Sequence, residues 1–142
     1  MLRIRTATAA VSALAFAGLL TVPAQAAPDL TRPERQVNAF FSQYREAVLG
    51  QNPDQDPTEV RNEFLTPDLN QSLDQWAAEN NADPVFRGQN VPTGWSVRYA
   101  GSGGGHSTVI LTEQWGDGST QDVWYQVQLA DLRIDGLEDP PA

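Results

Sequence analysis

The sequence predicts an α+β domain, with N-terminal helices packed on a curved antiparallel β-meander in a cone-like layout. Three observations carry this. Apolar residues recur at helical spacing through the first half of the chain, the period falls to two after Thr93, and tight-turn residues separate the later apolar runs. Helices that precede a run of consecutive strands indicate helices on one face of an antiparallel sheet.

The chain opens MLRIRTATAAVSALAFAGLLTVPAQA. Arg3 and Arg5 form a basic start, Ala7 to Leu20 is apolar, and Ala24-Gln25-Ala26 places small residues where a signal peptidase reads them. Residues 1–26 are therefore expected to be a signal peptide cleaved after Ala26, which makes the protein secreted and extracellular. The apolar run is shorter than the roughly 20 residues that a membrane-spanning helix needs. Residues 27–142 are short enough for one α+β cone-like domain with one core. The chain has no cysteine, so thiol nucleophiles, disulfides and cysteine-ligated zinc are excluded. It has no lysine and is rich in alanine and arginine, the composition of a high-GC genome, which points to an actinobacterial host.

The first helix starts at a capping box, Thr31-Arg32-Pro33-Glu34, in which the hydroxyl and the carboxylate each take an end-of-helix N–H. Pro33 fits the first turn. Val37, Phe40, Phe41, Tyr44 and Val48 fall on one stripe, and Gly50 ends the helix, giving about Arg32 to Leu49. Asp56-Pro57-Thr58-Glu59 repeats the start signal for a short second helix carrying Val60, Phe64 and Leu65. Thr66-Pro67 caps a third, with Leu69, Leu73 and Trp76 on its apolar face, fading near Asn80-Asn81. Trp95, Val97 and Tyr99 alternate with polar residues, as a strand does. The stretch 101–105 reads as a flexible glycine connection to a strand from Thr108 to Trp115. Gly116 to Ser119 is a hairpin turn, Val123 to Leu129 the next strand, Ala130-Asp131 a second tight turn, and Leu132 to Leu137 the last strand.

This order of an amphipathic helix, two short helices and a bent meander resembles the nuclear transport factor 2-like (cystatin-like) cone superfamily. The resemblance implies a fold and no particular activity. Within it, Asp83-Pro84-Val85-Phe86 followed by Gln89-Asn90 is similar to the DP-(apolar)…QD segment of a family of small exported bacterial domains of unknown function. Val85 stands where that family has its aromatic, with Phe86 one place later, and Asn90 stands where it has an aspartate.

Without the two leader arginines, seven arginines face eighteen acids, a net charge of −11. Such a surface repels phosphate backbones and anionic lipid, so neither nucleic acid nor, after leader cleavage, membrane is an expected partner. No cofactor and no metal site is indicated. Asp54-Gln55-Asp56 begins like a calcium loop, yet Glu59 and Leu65 occupy the places that demand glycine and glutamate. Gly101-Ser102-Gly103 lacks the strand-to-helix setting of a nucleophile elbow. Asn70-Gln71-Ser72 matches a glycosylation sequon, which a bacterial chain need not use. His106, the only histidine, follows the glycines and is expected to face solvent without an orienting acid.

Phase places Trp76, Trp95 and Trp115 inward and Trp124 outward. Glu113 shares parity with Val109, Leu111 and Trp115, and a buried carboxylate there would have a raised pKa. The expected rim of an open cone is Tyr44, Trp95, Arg98, Glu113, Trp115 and Tyr125. Asp83 to Trp95 reads as difficult backbone under the sheet, with Asp83, Gln89 and Asn90 satisfying main-chain groups and Val85 and Phe86 pinning it to the core. The function expected is non-enzymatic binding of a small ligand, peptide or partner protein by a monomer or weak homodimer. The alternatives are a cone-type isomerase or dehydratase with Glu113 as base, and an extracellular interaction or inhibitor protein. An open pocket lined by Trp95 and Tyr125 favours ligand binding, a dry pocket enclosing Glu113 the enzyme, and a filled cone with an exposed aromatic patch around Trp124 the interaction protein.

Overall fold

The computed structural model describes residues 29–141, so the expected signal peptide lies outside the described residues. Helix α1 spans Arg32–Val48, α2 Pro57–Phe64 and α3 Pro67–Asn80, followed by strands β1 Gly94–Gly103, β2 His106–Gln114, β3 Thr120–Gln128 and β4 Ile134–Glu138. The strands form one antiparallel sheet in the order β1-β2-β3-β4. The fold is therefore α+β with the helices first.

Each helix begins where its cap residue can accept an N–H. Thr31 and Glu34 exchange bonds at the start of α1, and Asp56 and Glu59 do the same for α2. Thr66 caps α3, which ends on Asn81 in the left-handed conformation, φ 52°. Between α2 and α3 the chain touches the sheet once: Leu65 bridges Ile134, and Thr66 N–H donates to the Ile134 carbonyl at 3.0 Å.

The sheet differs from the sequence reading at its connections. The glycines were expected to be a flexible link, but β1 runs to Gly103 through a register shift between Tyr99 and Ser102. Only Gly104 and Gly105 turn, both at positive φ (61° and 83°), as a two-residue hairpin loop of right-handed twist requires. The last strand begins at Ile134 rather than Leu132. Leu132 sits at φ 63° with its N–H on the Gln128 carbonyl, so the turn takes in Leu129 to Arg133. An apolar side chain extended the apparent strand, while its backbone belongs to the turn.

The core lies between α1 and the sheet. Val37, Phe40 and Phe41 are fully buried, and Tyr44 nearly so. They face Val109, Leu111 and Glu113 of β2, Val123, Tyr125 and Val127 of β3, and Ile134 and Leu137 of β4, all buried. Aromatic rings fill this layer. Phe40 meets Phe64 at 5.6 Å and Tyr125 at 6.3 Å between centroids; Phe41 meets Phe86 at 5.5 Å and Trp95 at 5.2 Å. These are tilted or edge-on pairs, the preferred geometries of quadrupolar rings. On the opposite sheet face Trp124 is half-buried beside Ile110, its cross-strand neighbour, which is itself buried.

Candidate functional site

The segment from Asp83 to Thr93 crosses from the end of α3 to the start of β1, and one carboxylate organises it. Asp83 Oδ1 accepts the N–H groups of Val85 (2.8 Å) and Phe86 (2.9 Å), while Oδ2 accepts the Tyr44 hydroxyl at 2.9 Å. The loop closes on itself through Asp83 N–H to the Gly88 carbonyl and Arg87 N–H to the Asp83 carbonyl. Pro84, Val85 and Phe86 are buried. The sequence assigned Asp83 and Gln89 to the loop's own backbone; Asp83 acts there, whereas Gln89 donates to the carbonyl of Asn81, the residue that ends α3, at 3.2 Å. Asn90 does not: it is exposed, and its side chain makes no hydrogen bond among the described residues.

Arg87 takes φ 55°, a left-handed conformation that non-glycine residues adopt at some strain. Its side chain reaches the end of the sheet. Its Nη2 donates to the Leu137 carbonyl at 2.8 Å, and the guanidinium lies 4.3 Å from the Trp76 ring centroid. Its Nε lies 3.7 Å from Asp139, too far for a hydrogen bond, and Nη1 has no partner. Gly88 follows, and a Cβ there would stand 3.1 Å from Trp115 Cη2, so glycine lets the indole lie on the loop backbone.

A cleft of about 480 Å³ opens between this loop and the β2–β3 hairpin. Arg87, Gly88, Asn90, Trp115, Asp117 and Gln121 are among the residues that line it. Gln121 joins the cleft to the core. Its Nε2 donates to Glu113 Oε2 at 3.2 Å and to the Phe86 and Arg87 carbonyls at 3.3 Å. Its Oε1 has no partner among the described residues and is not sealed off.

Below Gln121 lies a buried polar cluster. Glu113 is fully buried, with Oε1 unpartnered. Burial pushes its carboxyl up to about 8; the Gln121 hydrogen bond and Arg87 oppose this without reversing it. At neutral pH the group holds its proton. The Tyr125 hydroxyl is buried without a partner, and burial, reinforced by Glu113, raises its pKa. Tyr44 is raised in the same way by burial and the Asp83 carboxylate.

The rim expected from the sequence does not assemble. Trp115 lines the cleft. Tyr44, Glu113 and Tyr125 are enclosed beneath it. Trp95 is half-buried under α1, its Nε1 donating to Asn38 Oδ1 at 2.9 Å, with the Arg45 guanidinium 5.9 Å from its ring centroid. Arg98 points from the other sheet face, bonded to Thr112 (3.0 Å) and Asp122 (3.3 Å). The alternation of β1 accounts for this, because Trp95 and Arg98 have opposite parity. Gln121 and Asp117 were missed. Gln121 carried a signal in its parity with Val123 and Tyr125; its place opposite Glu113 comes from the turn being one residue shorter than expected, with Trp115 N–H on the Ser119 carbonyl.

His106 also differs from expectation. It opens β2 and is half-buried, with Nε2 2.7 Å from Asp135 Oδ2 and Nδ1 3.2 Å from the Gly104 carbonyl. Gln128 Nε2 holds the same Asp135 oxygen at 3.1 Å. Both ring nitrogens thus face acceptors, an arrangement that the doubly protonated ring satisfies in full. Neither nitrogen remains to serve as a base. The Asp135 hydrogen bond raises the pKa above the ordinary 6.5. This group's stabilisation is complete below 6.5 and is lost as pH rises through the folded value. An NMR titration of the imidazole should show a midpoint above 6.5 that falls in Asp135→Asn; an unchanged midpoint would remove the ion pair.

No family model matches the chain, and no curated protein does. A crystal structure of a protein of unknown function from Bacteroides thetaiotaomicron is similar, with a TM-score of 0.54 and 16% identity over 95% of this chain and 99% of that one. At that identity the likeness concerns the fold.

Proposed function

We propose that the chain is an exported, non-enzymatic binding domain of the nuclear transport factor 2-like type, and that it takes a small ligand in the cleft between residues 87–93 and the β2–β3 hairpin. The observation that carries this reading is the cleft itself. It brings an aromatic ring, an exposed amide and an uncommitted carbonyl oxygen to one concavity, whose volume falls within the roughly 300–1,000 Å³ of small-molecule pockets. Export rests on the leader-like N-terminus, and the acidic surface suits a monomer or weak homodimer in solution.

The two other readings have less support. A general base must come within hydrogen-bond reach of the proton it abstracts, and Glu113 is fully enclosed with Gln121 between it and the cleft. The large exposed apolar side chains, Leu49, Tyr99 and Leu129, lie on different elements, and Trp124 is half-buried.

Native mass spectrometry of the protein purified from culture medium tests the proposal. The expected result is a small-molecule adduct that dissociates on denaturation and is lost in Trp115→Ala, with circular dichroism confirming the variant's fold. A catalytic turnover abolished by Glu113→Gln would overturn it.

A further inference from the structure

Which ligand suits the cleft follows from the groups its walls leave uncommitted. Asn90 offers a whole amide, donor and acceptor together. Gln121 offers only Oε1, because its nitrogen is held by three inward acceptors. Asp117 spends Oδ1 on the Ser119 N–H (2.9 Å) and hydroxyl (2.6 Å), leaving Oδ2. Trp115 Nε1 makes no hydrogen bond among the described residues and is not sealed off. The cleft therefore presents acceptors and donors side by side around one indole.

This lining discriminates among ligand classes. An anion would meet the Asp117 carboxylate and a chain of formal net charge −9, while the Arg87 side chain is only 6% exposed, with Nη2 on the Leu137 carbonyl. No group of three or more His, Asp or Glu among the described residues could hold a metal ion. A purely apolar ligand would strand the amide and carboxylate groups without water. A ligand whose hydroxyls both donate and accept, and whose C–H faces are apolar, satisfies all of them.

We infer that the cleft binds a neutral carbohydrate, with a sugar ring against the Trp115 indole and its hydroxyls shared among Asn90, Asp117 and Gln121. This rests on the cleft being the binding site, and it adds the ligand class. Gly88 contributes by letting Trp115 rest on the loop, which orients the indole without a side chain intervening. The Gln121 amide cannot turn over without setting its oxygen against two carbonyls, so its acceptor stays on the cleft side.

The test is a ¹⁵N-NMR titration of the purified protein with four separate probes: cellobiose, N,N′-diacetylchitobiose, citrate and triglycine. At least one disaccharide should shift the amides of Gly88, Asn90, Gly116 and Ser119 saturably. Asn90→Ala should weaken that binding about five-fold, the loss of one neutral hydrogen bond of about 1 kcal/mol, and Asp117→Asn, which replaces a charged acceptor by a neutral amide, at least as much. Both replaced residues are exposed, so an otherwise unchanged spectrum reports an intact fold. If citrate or triglycine shifts these amides and neither disaccharide does, the carbohydrate inference fails while the cleft stands as a binding site. If no probe shifts them and native mass spectrometry finds no adduct, both fail.

Discussion

Replacing Glu113 with glutamine should stabilise the protein at pH 8 and leave its stability nearly unchanged at pH 5. The folded chain holds the Glu113 proton up to about pH 8, whereas the unfolded chain releases it near 4.5. Between those values the native state binds the extra proton, so stability falls as pH rises. A shift of this size corresponds to roughly 4 kcal/mol across the window. Glutamine is neutral at every pH, matches the shape, and keeps an acceptor for the Gln121 amide at the Oε2 position. In a small domain the gain at pH 8 should raise the melting temperature by on the order of 10 °C. Thermal unfolding of both proteins at several pH values measures the effect. A variant less stable than the parent at pH 8 would mean that Glu113 is ionised and held by Arg87, and would sink this account of the cluster.

Removing the Asp83 carboxylate should be among the most damaging changes to the loop. Asp83→Ala leaves the Val85 and Phe86 N–H groups and the Tyr44 hydroxyl without their acceptor, beside fully buried side chains. A buried donor left unsatisfied costs about 1–3 kcal/mol. Three at once should lower stability by roughly 3 kcal/mol or more, a large part of the about 5–15 kcal/mol of a typical domain. Tyr44→Phe removes one of the three bonds and should cost about 1 kcal/mol. Urea unfolding of the two variants separates these outcomes. Equal losses would show that Asp83 serves mainly Tyr44 and that the loop backbone does not depend on it. Because Gly88 and Asn90 line the cleft on the same loop, Asp83→Ala should also abolish ligand capture there.

The fold was legible because its signals are local. Val37, Phe40, Phe41 and Tyr44 share a helical stripe in any environment, and Thr31, Asp56 and Thr66 each sit a few residues from the N–H they accept. The hairpin at Gly116 to Ser119 was legible to within one residue: counted outward it pairs Glu113 with Asp122, whereas Trp115 N–H bonds the Ser119 carbonyl, the loop shrinks to Gly116 to Gly118, and Glu113 meets Gln121. The candidate site was less legible, because its contacts span long separations. Gln121 reaches Phe86 and Arg87 across 35 and 34 residues, and His106 meets Asp135 across 29. No periodicity encodes such meetings. Phase also reports which face a side chain takes, and not how deep it lies. It put Tyr44 and Tyr125 inward correctly, Tyr99 inward wrongly, gave Glu113 only the parity of the core, and could not say that Phe40 and Phe86 would pack against the two buried tyrosines.

The amino-acid order alone determined the element types, their caps and the α+β arrangement, since backbone preferences and apolar spacing act within a few residues. Only the tertiary structure decided that the inner layer is packed with rings, that the opening lies beside Trp115, and that a fully enclosed carboxyl sits beneath it. Desolvation and close packing depend on the whole set of neighbours in space, and a linear chain does not contain that set until it has folded.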